Sequence, residues 1–181
     1  MSKIAWFWGT QTKNTKIIAE PIHQHLGSES IVTLYGMADA NWDDFAAFDC
    51  LIVGCPTGNT GERQSDWDAV SDALDESDAL PEIDLSGNRV ADFGASDQID
   101  DADNFQDVMG LLAGRSTALG GETLGCWWLD GDDFAASKAM RAGEYVGLAM
   151  DKDNQAELTT ERIAAWTAPL ETALGLSTWL T

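Results

Sequence analysis

The chain has 181 residues, room for one sizeable folded unit and too few for two of ordinary size. Acidic residues outnumber basic ones by 31 to 10, a formal charge of −21 that leaves no basic surface for nucleic acid or an anionic membrane. A hydrophobic content of 44% with eight Trp excludes a disordered acidic tail, and no apolar run is long enough to span a bilayer or form a signal peptide. The acidity itself fits either docking to something basic or a solvated, salt-tolerant surface.

In chain order, Ile4-Ala5-Trp6-Phe7-Trp8 is an unbroken apolar run, the pattern of a strand covered on both faces. Ile18, Ile22 and Leu26 recur at spacing four and mark one face of a helix. Ile31 to Tyr35 reads as a second strand and Cys50 to Cys55 as a third, with Trp67, Val70 and Leu74 striping a helix behind it. Asn88 to Gly94 is a fourth strand, followed by Phe105, Val108, Met109 and Leu112 at helical spacing. Thr123 to Leu129 is a fifth; a polar insertion from Asp130 to Gly143 interrupts it, and it resumes at Glu144 to Met150. Ile163, Trp166, Leu170 and Leu174 stripe a last helix. Strands alternating with helices predict an α/β sandwich: one domain over residues 1–181, a five-stranded parallel sheet with helices on both faces.

Three residues conflict with this pattern. Pro21 and Pro169 fall inside helices, where each removes a backbone hydrogen bond, so kinks are expected there. Asp92 stands in the middle of an apolar strand, and nothing in the sequence explains it. The three cysteines, Cys50, Cys55 and Cys126, are an odd and unpatterned set that fits a reducing cytoplasm. Cys50 and Cys55 point to opposite faces of one strand. His23 and His25 stand roughly 200° apart around a helix, the wrong geometry for a shared metal.

Ligands of such sheets bind beyond the carboxyl ends of the strands, where the strand order switches. Three loops there are unusual. Gly9-Thr10-Gln11-Thr12-Lys13-Asn14-Thr15 offers hydroxyls and successive N–H groups at a helix start, a phosphate cradle that lacks the Gly-Lys-Ser/Thr ending of nucleotide triphosphatases. The second, Cys55-Pro56-Thr57-Gly58-Asn59-Thr60-Gly61-Glu62, allows positive φ and close approach to a flat ligand. The third runs from Gly94 to Asn104 and offers acceptors and amides.

These residues resemble the long-chain flavodoxins, FMN-carrying electron-transfer proteins. The likeness rests on Gly9-Thr10-Gln11-Thr12 with Thr15, on Gly54-Cys55-Pro56-Thr57, Gly61-Glu62 and Gln64-Ser65-Asp66-Trp67, and on Asp97-Gln98 through Ala102-Asp103-Asn104-Phe105-Gln106-Asp107. The interruption of strand five, ending in Val146-Gly147-Leu148-Ala149 and Asp151, is similar to the insertion that marks the long-chain class. The resemblance implies a flavodoxin-like fold, an FMN cofactor and no substrate chemistry. Thr10, Gln11, Thr12, Lys13, Asn14 and Thr15 would hold the phosphate. Thr57, Gly58, Asn59, Thr60 and Gly61 would form one ring loop, the Asn59 carbonyl turning to accept the ring's N5 proton on one-electron reduction. Ala95, Ser96, Asp97, Gln98 and Asp101 would form the other, with Asp97, Asn104 and Gln106 at the pyrimidine edge and Asp151 near the ribityl chain. Glu62, Asp66, Asp68 and Asp72 would dock basic redox proteins such as a ferredoxin–NADP reductase, a photosystem or a flavodoxin-dependent reductase. The protein would be a cytoplasmic, low-potential carrier and a monomer, without metal.

The chain departs from the resemblance at Gly58 and Asp101, where the family usually has a Trp and a Tyr against the ring, and at Lys13 and Asp100, where Gly is usual. Aromatic contacts contribute about 0.5–1.5 kcal/mol each beyond buried area, so weaker flavin binding than in the family is expected. Two other readings share these residues: an FMN-dependent reductase with a pocket opened at Gly58, and an acidic docking module with weakened cofactor binding.

Overall fold

A computed structural model describes residues 3–8, 13–26, 32–36, 45–57, 84–128 and 131–176; for 13–14 and 32–36 it describes the backbone alone. The apolar runs become strands β1 (Ile4–Trp8), β2 (Val32–Gly36), β3 (Cys50–Pro56) and β4 (Arg89–Ala95). They pair in parallel in the order β2-β1-β3-β4, and two short strands, β5 (Glu122–Leu124) and β9 (Gly147–Met150), both pair with the far edge of β4. The sheet is therefore flavodoxin-like, five positions wide, with its fifth position split. The helix expected behind Trp67 lies outside the described residues.

Helices α1 (Lys13–Leu26), α2 (Asp107–Ala118) and α3 (Thr159–Leu174) follow the spacing-four stripes. Their inward residues, Ile18, Ile22 and Leu26 on α1, Val108, Met109 and Leu112 on α2, Ile163, Trp166, Leu170 and Leu174 on α3, are all buried. Trp6 packs edge-on against His23 of α1 and Phe93 of β4, at centroid distances of 5.6 and 5.8 Å. The Phe93 ring lies over Gly54, where a Cβ would come within 2.0 Å of its Cζ. Each large side chain buried in this way contributes roughly 1.5–3 kcal/mol. Both α1 and α3 continue through their prolines as single elements. The carbonyls that lose a partner there belong to Ile17 and Ala165, exposed residues whose oxygens water can serve.

The fifth strand differs from its sequence pattern. It leaves the sheet after Leu124, because Gly125 turns at φ +71° and its carbonyl accepts the Trp166 indole N–H at 2.7 Å. Trp127–Trp128 (β6), Met140–Arg141 (β7) and Glu144–Tyr145 (β8) instead form a separate antiparallel sheet in the order β6-β8-β7. The ladder resumes only at Gly147, where a Cβ would meet the Asp92 carbonyl oxygen at 2.2 Å, so a glycine has to open β9.

The insertion is pinned to the turn before α2 by Phe105, Phe134 and Tyr145, with ring centroids 5.2–6.2 Å apart, and to α2 itself by close approach of backbone at Gly110. A Cβ on Gly110 would lie 2.3 Å from the carbonyl carbon and oxygen of Lys138. Gly110→Ala therefore lowers stability by about 1–3 kcal/mol, because backbone cannot yield as a side-chain tip can. An unchanged urea midpoint would show that this packing is loose.

Candidate functional site

Strands β1, β3 and β4 end side by side, and β1 lies where the order switches, since β2 follows it on one side and β3 pairs on the other. Loops leave this edge at residue 9, at Thr57 and at Ser96. Gly9 to Thr12 and everything from Gly58 to Ile83 lie outside the described residues, including Thr10, Gln11, Thr12, Gly58, Asn59, Thr60, Gly61, Glu62, Asp66, Asp68 and Asp72.

At the first loop, α1 starts at Lys13, and Thr15 in its first turn is completely buried with no hydrogen-bond partner for its hydroxyl among the described residues. A dry hydroxyl without a partner costs about 1–3 kcal/mol, so the position suits an absent acceptor. A helix N-terminus there favours an anion. At the second, the Thr57 N–H donates to the Ala95 carbonyl at 2.9 Å and ties the loop to β4.

The third loop is built from its own carboxylates. Burial alone would raise the Asp97 carboxyl, but N–H donation from Asp100 and Ile99 and the Asn154 side-chain amide hold it below the usual range. Asp151 is 2% exposed and accepts on both oxygens: Oδ2 from Gln98 N–H (3.0 Å) and Asn154 Nδ2 (2.8 Å), Oδ1 from the N–H groups of Asp153 and Asn154. The Gln98 side chain is turned away from the sheet edge, its Oε1 accepting the Asp133 N–H of the insertion at 2.7 Å. Asp97, Gln98 and Asp151 thus shape the loop through their side chains and leave its backbone to meet a ligand.

Gln106 is fully buried at φ +60°, with Nε2 donating to the Met150 carbonyl and Oε1 without a partner among the described residues. It fills the space above Gly94, where a Cβ would come 1.9 Å from that oxygen. Asn104 is half-buried and its backbone closes the turn between Asp101 and Asp107. Asp101, 4% exposed, tucks back on Ser96, whose hydroxyl donates to it at 3.3 Å; burial pushes its carboxyl up. Ala95 and Ser96 line the end of β4, the Ser96 N–H held by Met150.

Four groups beside the site have no sequence period to reveal them. Asn154 joins Asp97 to Asp151, a role hinted at only by the Asp-x-x-Asn spacing of a turn. Asp132 sits at the centre of a buried set, accepting from Arg162 at 2.9 Å and from the Tyr145 hydroxyl at 3.1 Å. Among the described residues no group of His, Cys, Asp and Glu could hold a metal, and no helix is long and apolar enough to cross a membrane.

The flavodoxin family model matches residues 7–166. The chain is 49% identical over 174 residues to a flavodoxin of Synechocystis sp., covering 96% of this chain and 99% of that one. To a flavodoxin of Picosynechococcus sp. it is 51% identical over 176 residues, covering 97% and 100%. Among solved structures, Fusobacterium nucleatum flavodoxin bound to flavin mononucleotide superposes with a TM-score of 0.82 at 26% identity, covering 96% of this chain and 99% of that one. The split fifth strand, the loops at the switch point and near-complete alignment with relatives about half identical agree: the chain belongs to the flavodoxin family.

Proposed function

We propose that this protein carries FMN and shuttles single electrons between redox proteins, with no substrate reaction of its own. The observation that carries the reading is the buried Thr15 hydroxyl in the first turn of α1, at the switch point of the sheet, without a hydrogen-bond partner among the described residues. Its relatives are flavodoxins, and the Fusobacterium structure holds flavin mononucleotide. When bound, FMN supplies the one-electron chemistry. The chain's own residues bind and orient it: Thr10, Thr12 and Thr15 through hydroxyls, Gln11, Lys13 and Asn14 through N–H groups at the helix start, and Thr57 to Gly61 and Ala95 to Gln98 through loop backbone. Asn104 stands at the ring edge, while Gln106 and Asp151 act as positioning residues, and so does Asp101 through Ser96. The net charge of −21 opposes any further negative charge on the ring, which makes the protein a low-potential donor. The same field steers basic partners in the cytoplasm, where the chain works as a monomer of one domain and docks them on Glu62, Asp66, Asp68 and Asp72.

Thr15→Val tests the cradle, because it keeps the shape and removes the hydroxyl. FMN binding should weaken about tenfold, the worth of a hydrogen bond to a charged acceptor, while riboflavin, which lacks the phosphate, binds as before. Flavin absorbance and fluorescence quenching read both constants. Equal losses for the two flavins would reject the phosphate site, and no flavin binding by the parent would reject the function.

A further inference from the structure

Between β6 and α3 lies a cleft of about 370 Å³ that the flavin reading does not use. Trp127 and Trp128 form one wall, while Leu158, Glu161, Arg162 and Ala165 form the other. The two indoles stack at 4.9 Å with 17° between their planes, the inner ring 4% exposed and the outer 57%. An indole left this open on an anchored partner is an unusual expense of apolar surface.

The charges around the cleft decide what fits. Arg162 on the floor is matched by Asp132 at 2.9 Å, both side chains buried, so the floor is close to neutral. Glu161 lines the rim from the first turn of α3, and Glu144 is the cross-strand neighbour of Trp128 on β8. The nearby cations are engaged: Lys138 with Asp107 at 2.7 Å, and Arg141 with the carbonyls of Lys138 and Met140. A Trp face attracts a cation through its quadrupole, and Glu161 adds a carboxylate at the same mouth. An aromatic anion would meet net negative charge, and a neutral apolar group would leave Glu161 facing it.

The insertion that carries one wall of the cleft is also tied to the third loop. Asp133 N–H on its insertion side is held by Gln98 Oε1, and the Gln155 amide donates to the Gly131 carbonyl at 3.1 Å. We propose that this cleft is a cation subsite, which receives a lysine or arginine side chain of a basic partner against the face of Trp128. The proposal rests on the electron-carrier reading for the partner's identity, yet the cleft can be tested without flavin or electron transfer.

The probes are acetyl-arginine methylamide, its uncharged analogue acetyl-citrulline methylamide, and benzoate, titrated into the full chain while the indole N–H signal of Trp128 is followed by NMR. The arginine probe should give a saturable shift in the millimolar range, weakened about threefold by Glu161→Gln, and in Trp128→Ser the indole N–H of Trp127, which also lines the cleft, should not respond to it. Association with cytochrome c, a basic protein, should weaken about threefold in Trp128→Ser at fixed ionic strength. Equal binding of the citrulline probe, preference for benzoate, no saturation, or unchanged cytochrome c association would each overturn the proposal. None of these outcomes bears on FMN binding, which absorbance measures separately.

Discussion

Asp92→Asn should make the protein more stable at pH 8 and leave its stability unchanged near pH 4. Asp92 is 1% exposed in the middle of β4, between Val53 and Gly147, and neither of its carboxylate oxygens has a hydrogen-bond partner among the described residues. Burial pushes its pKa up from 3.8 to about 8. The Cys55 and Cys126 thiols that feel its charge are pushed up mainly by burial, and a thiol, neutral or ionised, supplies no cation to it. A carboxyl raised on folding holds its proton in the native state while the unfolded chain has lost it. The stability that it allows is complete below pH 3.8 and falls as pH rises to about 8. The linkage over that window is on the order of 5 kcal/mol. An Asn amide in the same dry place also lacks partners, so the expected gain at pH 8 is about 2–4 kcal/mol. Urea midpoints for both proteins between pH 4 and 9 measure it. A constant offset across that range would mean that Asp92 titrates like an exposed carboxylate.

Asp132→Ala acts in the opposite direction and is equally large. It removes the acceptor of both Arg162 and the Tyr145 hydroxyl inside the packing between the insertion and α3. Tyr145 is already pushed up by burial, and the buried Arg162 would lose the carboxylate of Asp132. Breaking a buried pair on one side costs about 3–5 kcal/mol, a large share of the 5–15 kcal/mol typical of a whole domain. Replacing both members, as Asp132→Leu with Arg162→Met, should recover most of the loss, because the buried guanidinium charge goes as well. Calorimetric melting of the three proteins at pH 7 separates these outcomes. A single variant that melts with the parent would show that water already reaches the pair.

The strands were legible because each is a continuous apolar run buried on both faces, as at Ile4–Trp8 and Cys50–Pro56, where local pattern and tertiary position demand the same residues. The helices were legible for the same reason through spacing four. The fifth strand was misread at Trp127 and Trp128 because apolar side chains satisfy two small sheets equally well; the decision lies with Gly125 and Gly147, single residues without a period. Within the candidate site, family likeness pointed to Asp97, Gln98 and Asp151 as ligand-binding residues, but not to the scaffold that their side chains build. Their hydrogen bonds reach across up to 57 positions of sequence, and no local rule can read such a distance. Asp92 breaks the apolar pattern of its strand, and among the described residues its carboxylate has no hydrogen-bond partner; its consequence is a pH-dependent cost to folding, not a stabilising contact.

The split of the fifth strand has a further consequence for how the chain could change length. Leu124 pairs with Ala91 and Gly147 with Asp92, so the excursion departs and returns on consecutive rungs of one ladder. One strand step is about 3.3 Å, close to the 3.8 Å that a peptide bond spans between Cα atoms. The main sheet therefore needs no bridge of its own across the gap: joining Leu124 directly to Gly147 would restore one unbroken strand. The excursion is a detachable module grafted at a seam, and its removal would free the Gln98 side chain and eliminate the Trp128 cleft while leaving the parallel sheet closed.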